Sequence, residues 1–187
     1  MVVVGLGNPG ARYQWTRHNA GALALAVLGE RSGSALRRHK SGCLVAETSL
    51  AGRRAVLAKP LAFMNDSGRA TRAVARWYKA DPEDLVVVHD EIDIGFGHVR
   101  VKRGGGTAGH NGLKSVAAHL GTGEFRRVRI GVSRPAGGRD PADWVLSEFT
   151  AGERRELPWI LDRAADAVER IVGVGVEAAM NEFNRVG

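Results

Sequence analysis

The chain has only one cysteine, Cys43, so no internal disulfide can form, and a lone thiol fits a reducing cytoplasm. It contains no run of about eighteen apolar residues, so no membrane-spanning helix is expected. Met1-Val2-Val3-Val4-Gly5 shows no positively charged leader and no cleavage signal, and reads as a strand that starts at once. A nucleophilic serine is poorly supported, because no Gly-x-Ser-x-Gly elbow occurs. No glycine-rich loop ends in Gly-Lys-Ser/Thr, which argues against nucleotide hydrolysis on a P-loop. Acidic residues are in the minority: 27 Lys and Arg against 20 Asp and Glu leave a formal charge of +7. A small enzyme for neutral metabolites has no need of that excess, whereas a protein that meets a polyanion does.

At 187 residues the chain reads as one domain, residues 1–187, with length enough for a substantial core. Apolar runs alternate with amphipathic segments, which points to an α/β fold. Strands are expected at Val2 to Leu6, at Leu85 to Val88, at Val99 to Arg103 and at Val128 to Ser133. Leu44 to Ser49 and Ala55 to Lys59 flank Ala51-Gly52-Arg53 as a hairpin. Helices are expected at Ala20 to Arg31, from an Asp66 or Ser67 cap to Tyr78, and at Asn111 to Leu120. A short helix follows at Pro141 to Phe149, anchored by Trp144 and Phe149. A long one runs from Glu153 to Val172 and is interrupted or ended by Gly173 and Gly175, ahead of a segment with Met180 and Phe183. Arg69, Arg72, Arg76 and Lys79 align on one helical face opposite Ala70, Ala73, Val74 and Trp77, and Arg100 and Lys102 share a strand face. A phosphate backbone would engage such points without sequence readout.

Several segments deliver a base, a carboxylate or an amide from a strand end or loop. They are Asn8 after the first strand, His18 in Thr16-Arg17-His18-Asn19, Asn65 in Phe63-Met64-Asn65, Asp90 in His89-Asp90-Glu91-Ile92-Asp93, and Asn111 in Gly109-His110-Asn111-Gly112. Ligands of open α/β sheets collect beyond the carboxyl ends of the strands, so these segments are expected to converge on one edge. His18 and Asp90 form a general-base unit, the carboxylate fixing the imidazole tautomer and stabilising the imidazolium. Asn65 and Asn111 can hold water or an oxyanion without adding charge. Tyr13 and Met64 can line a pocket, although packing is the default for Met64. His89 and Asp90 point to opposite faces of a strand, which argues against a metal held by both. His18, Asp90 and His110 remain conceivable ligands, without a spaced motif to support them. Gly5-Leu6-Gly7-Asn8-Pro9-Gly10 matches a dinucleotide fingerprint, but residues 12–19 intervene before any helix, so it reads as a tight loop presenting Asn8. Cys43, in apolar strand sequence, reads as packing.

At these residues the chain resembles the bacterial-type peptidyl-tRNA hydrolase family. The resemblance rests on Gly5-Leu6-Gly7-Asn8-Pro9-Gly10, Tyr13 with Thr16-Arg17-His18-Asn19-Ala20-Gly21, Phe63-Met64-Asn65 with Ser67-Gly68, His89-Asp90-Glu91-Ile92-Asp93, Gly104-Gly105-Gly106 through Gly109-His110-Asn111-Gly112-Leu113-Lys114, and Arg129-Ile130-Gly131. It covers the first two-thirds of the chain closely. It implies a monomeric α/β protein with a mixed central sheet flanked by helices on both faces. The implied reaction is hydrolysis of the ester joining a peptide to the terminal ribose of tRNA, which recycles tRNA from aborted translation. His18 would be the general base, Asp90 its support, and Asn65 the residue that places water or steadies the intermediate. Asn8 and Asn111 would hold substrate, and Lys102 and Arg129 would contact tRNA phosphate. No metal, organic cofactor, membrane or obligate protein partner is implied. The chain departs from the family pattern at Ile94-Gly95-Phe96-Gly97, where prolines are frequent, and at Asp66, where an apolar residue is common. A noncatalytic RNA-binding protein using the same basic faces is the alternative; it would not require the His18, Asp90, Asn65 and Asn111 set. A nucleotide-dependent enzyme on the first glycine turn is a weaker third reading.

Overall fold

Strand β1 (Val2–Gly5) carries no polar residue because both of its faces are covered. Val3 enters an apolar cluster on one side of the sheet, and Val2 and Val4 enter a second cluster on the other, as strand alternation requires. The computed structural model describes residues 1–185. After β1 come α1 (Ala20–Arg31), β2 (Arg37–Arg38), β3 (Cys43–Leu50), β4 (Arg53–Pro60), α2 (Ser67–Trp77), β5 (Leu85–Glu91) and β6 (Val99–Arg103). They are followed by α3 (Asn111–Leu120), β7 (Arg126–Gly131), α4 (Pro141–Val145), α5 (Ala151–Val174) and α6 (Val176–Phe183).

The seven strands form one mixed sheet in the order β2-β3-β4-β1-β5-β7-β6. β1 lies parallel to β4 and β5, and β5 lies parallel to β7, so the carboxyl ends of these four strands share one edge. β3 pairs antiparallel with β4, and β6 antiparallel with β7. Helices α1, α5 and α6 build the core on one face, with Leu25, Ile160 and Val168 against Val86 and Val88. Helices α2 and α3 cover the other, with Val74 and Val116 against Val87. α1 presses so closely on the sheet that a β-carbon on Gly21 would lie 2.1 Å from the Val88 carbonyl oxygen. On the edge strand β6, the Asn184 side-chain amide donates to Val101 O and accepts from Val101 N, both at 2.8 Å. No helix among the described residues is long and apolar enough to cross a membrane.

Helices α1 and α3 and strand β6 have the expected bounds, and the hairpin forms with Ala51 and Gly52 as its two loop residues. Both have positive φ, 46° and 74°, as a turn matched to strand twist demands. Other elements differ. β7 starts two residues before Val128, because the Arg127 side chain is buried and donates to the carbonyls of Gly105, Gly106 and Gly123. Asp66 occupies the cap position of α2, yet neither it nor Ser67 makes a side-chain cap bond. Arg69, Arg72 and Arg76 share the solvent face of α2, but Lys79 lies beyond the helix end in a left-handed conformation (φ 52°). Trp77 is half exposed instead of joining the apolar stripe, with Lys40 Nζ 3.6 Å from its ring centroid. α4 stops at Val145, short of Phe149, which is buried in the core. Gly173 stays inside α5, and the break comes at Gly175 (φ 112°).

Candidate active site

His18 sits in the 3-10 turn Arg17–Asn19 that leads into α1, and Asp90 lies near the carboxyl end of β5. Both are buried. His18 Nδ1 lies 2.9 Å from Asp90 Oδ1 and 3.0 Å from Oδ2. The same Oδ1 lies 2.9 Å from His110 Nε2. His110 is the residue that caps α3: its Nδ1 accepts from the backbone N–H groups of Gly112 and Leu113, at 3.1 and 3.3 Å. This bonding assigns the tautomers. A ring nitrogen that accepts two N–H groups carries no proton, so His110 carries its proton on Nε2 and donates it to Asp90. The carboxylate, being an acceptor only, takes a second proton bond from His18 Nδ1–H. His18 Nε2 is left as a lone pair with no partner among the described residues.

The electrostatics follow from that wiring. Burial works against the imidazolium of His18, but the charge and hydrogen bond of Asp90 outweigh it, so the His18 pKa is raised from 6.5. Burial alone would raise the Asp90 pKa; the two histidines outweigh it and hold the carboxylate well below the usual range. His89 takes the strand face opposite the Asp90 carboxylate, as alternation predicts, but its ring packs edge-on against His110 with centroids 5.0 Å apart. The His89 Nδ1–H donates to the Asp90 carbonyl at 2.7 Å, and burial, followed by His110, lowers its pKa to about 3. It stays neutral and outside the base unit.

His18, Asp90 and His110 place one donor atom each within 4.8 Å of one another, a spacing that could suit a cation. The hydrogen bonds disfavour it. A metal on His110 Nε2 would move the imidazole proton to Nδ1, into the two N–H groups that it now accepts.

Two cavities meet at His18. The first, of about 400 Å³, includes Asp90, Glu91, His110, Asn111 and Arg134 in its lining. The second, of about 300 Å³, gathers Asn8, Tyr13, Met64, Asn65 and Asn111 around His18. Ala142 and Val145 line both, and Leu146 lines the second. Asn8 is held by Asn19, which accepts its N–H at 2.8 Å and donates to its carbonyl at 3.0 Å. Asn8 Oδ1 accepts the Met64 N–H at 2.8 Å, so its Nδ2 hydrogens remain for a ligand. Asn65 and Asn111 are exposed at the mouth, and exposed Phe63 packs edge-on against Tyr13. Asp66 is also exposed, beside Asn65.

Lys102 and Arg129 line neither cavity. The Arg129 guanidinium donates to Glu91 Oε2, at 3.2 and 3.3 Å, so it faces the site through a carboxylate. Sequence reasoning passed over two residues that matter here. His110 reads as part of a glycine-flanked His–Asn pair and as a conceivable metal ligand, but not as a cap, because histidine is not a usual helix cap. Arg17, beside the base, has no role assigned by the sequence and is fully buried. Their only sequence signal was adjacency to Asn111 and His18.

The family model described as peptidyl-tRNA hydrolase matches residues 2–187. A peptidyl-tRNA hydrolase of Frankia alni is 54% identical over 183 residues, covering 98% of this chain and 93% of the relative. One from Mycolicibacterium smegmatis is 54% identical over 182 residues, covering 97% and 95%. The crystal structure of peptidyl-tRNA hydrolase from Acinetobacter baumannii superposes with a TM-score of 0.91 at 34% identity, over 98% of this chain and 93% of that one. Family match, identity over the full length and shared fold make one conclusion: the chain belongs to the peptidyl-tRNA hydrolase family and is an enzyme of that kind, with tRNA in its substrate.

Proposed function

We propose that this protein cleaves the ester between peptide and tRNA with His18 as the general base. The observation that supports it most is the relay of tautomers from the first amides of α3 through His110 and Asp90 to His18 Nδ1, which leaves Nε2 as the proton acceptor. A water at Nε2 gives up its proton as its oxygen attacks the ester carbonyl. The imidazolium so formed is stabilised by the buried Asp90 charge. The resulting oxyanion needs donors, and neutral amides supply them without disturbing the base; Asn65 and Asn111 are the donors at the mouth, with Asn8 Nδ2 deeper. When the tetrahedral intermediate collapses, the ribose oxygen leaves with the proton from His18, and the carboxyl of the peptide is released. Tyr13 and Met64 bound the peptide side of the cavity. Lys102, which pairs with no carboxylate among the described residues, and Arg129 take phosphates of the tRNA. The base unit needs no metal or organic cofactor. The enzyme acts as a cytoplasmic monomer without an obligate protein partner, returning tRNA from stalled translation.

The experiment is release of tRNA from an N-blocked aminoacyl-tRNA by the wild type and by His18→Ala, with a chelator present. Turnover should survive the chelator and nearly vanish in the variant, while tRNA affinity is kept. A folded His18→Ala variant with wild-type turnover would remove His18 from the reaction.

A further inference from the structure

Arg17 stands immediately before the base, yet its guanidinium is directed at the chain that follows α4. Nη1 donates to Ser147 Oγ and to the Glu148 carbonyl, both at 2.7 Å, and Nη2 donates to Glu153 Oε2 at 2.6 Å. The guanidinium carbon lies 3.5 Å from the ring centroid of Trp144. The main chain makes the same connection. Arg17 N–H donates to the Ser147 carbonyl, Phe149 N–H donates to the Trp15 carbonyl, and Thr16 faces Glu148 in a one-rung antiparallel bridge. Trp144 in turn donates Nε1–H to the Ser133 carbonyl at 2.8 Å, beyond the end of β7. The segment so tethered carries Ala142, Val145 and Leu146, the apolar wall of the His18 cavities.

We propose that Arg17 is a positioning residue that holds this apolar wall against the His18 cavities, so that a bound peptidyl ester is clasped between wall and base. The proposal rests on reading those cavities as the hydrolytic site. Only arginine suits the role. A planar fork can serve the Ser147–Glu148 turn and Glu153 together while lying flat on an indole, whereas the ammonium of lysine is a compact point charge. The start of α5 does not depend on Arg17, because Thr150 and Glu153 cap it reciprocally. Trp144 ties the wall to Ser133 and Arg154 holds Glu148 and the Phe149 carbonyl, but Arg17 is the side chain that joins the wall and its turn to the segment carrying the base. The His18–Asp90–His110 unit is not among its partners, so it acts on substrate binding and leaves the titration of the base alone.

The test compares wild type, Arg17→Gln and Arg17→Lys on peptidyl-tRNA, with folding followed by circular dichroism. In both variants KM should rise about tenfold, the effect of one lost charge-assisted hydrogen bond, while the acid limb of kcat stays in place. The tether can then be rebuilt without Arg17. Thr16 and Glu148 are a non-hydrogen-bonded pair, since their neighbours carry the bonds, which puts the two Cα atoms about 4.5 Å apart and within disulfide reach. Adding Thr16→Cys and Glu148→Cys to Arg17→Gln should restore wild-type KM when oxidised and lose it again on reduction. A folded Arg17→Gln with wild-type KM overturns the proposal, as does a formed disulfide that leaves KM raised. Should Arg17→Gln lack the wild-type dichroism, Arg17→Lys carries the same comparison. The His18→Ala control separates the two readings: normal turnover there condemns the site assignment, whatever KM does in the Arg17 variants.

Discussion

Replacing Asp90 by asparagine should be less damaging here than behind most catalytic histidines. Asparagine can present either its oxygen or its NH₂ to a histidine. When the NH₂ faces the ring, the base is forced into the wrong tautomer, and the loss is about 10⁴-fold. In this protein His110 prevents that choice. Its proton is fixed on Nε2 by the Gly112 and Leu113 amides, so the Oδ1 position of residue 90 must accept. The same position accepts from His18 at 2.9 Å; the NH₂ takes the place of Oδ2, 3.0 Å from the same Nδ1, so the correct tautomer is kept when the ring bonds the oxygen alone. What disappears is the charge that steadies the imidazolium. At an effective dielectric near 20 and about 4 Å, that is roughly 2–4 kcal/mol, or about 30- to 1000-fold in kcat. Asp90→Asn combined with His110→Ala frees the amide to turn, and the loss should deepen to about 10⁴-fold. The assay is single-turnover release of tRNA across a pH series. The base must be neutral to act, so the rate rises with pH through the His18 pKa, which Asp90 holds above 6.5. Asp90→Asn removes that charge and should move the limb to lower pH. A full 10⁴-fold loss in the single variant, with no further loss in the double, would refute the tautomer argument.

Charge reversal at Lys102 or Arg129 should weaken tRNA binding and lower its salt slope by about one unit for each phosphate that is no longer neutralised; filter binding from low to high salt reads it, and an unchanged slope means that the side chain meets no phosphate. Arg129 should lose less, because its partner Glu91 already offsets its charge. Gly21→Ala should destabilise by about 3 kcal/mol or more, because its β-carbon would sit 2.1 Å from the Val88 carbonyl oxygen at a strand that carries Asp90. Urea denaturation measures it, and a change below about 1 kcal/mol would mean that α1 moves freely. Cys43 is fully buried and burial pushes its thiol up to about 11, so a maleimide at pH 8 should label it only after denaturation.

How far this could be read from the chain depends on whether a residue's neighbours in sequence are also its neighbours in space. α1, α3 and β6 carry their own period, and their bounds were legible. So was the gathering of Asn8, His18, Asn65 and Asp90, since parallel strands deliver their ends to one edge. Arg127 and Arg17 were not. A buried arginine depends on distant acceptors, here the Gly105 and Gly106 carbonyls and the turn at Ser147, and nothing local announces them. The start of β7 was missed for that reason, because its first two residues look solvated. His110 was hidden by a different cause: histidine caps a helix only when its tautomer is fixed from the far side, and the fixing group is Asp90, twenty residues earlier. Trp77 failed the helical pattern because Lys40, from the β2–β3 turn, covers one face of its ring in place of the core.

The paired amide of Asn184 bears on how the sheet meets other chains. A side-chain amide has the donor and acceptor of a peptide group, so Asn184 occupies Val101 as a neighbouring strand would. Val101 is the middle residue of a five-residue edge strand, and one plugged rung there interrupts any continuous ladder that a second polypeptide could build. The opposite border is guarded differently, by a strand only two residues long and made of Arg37 and Arg38. A chain cut before Asn184 would keep its catalytic groups and lose the plug, and its first defect should be self-association through β6 with activity per folded molecule intact.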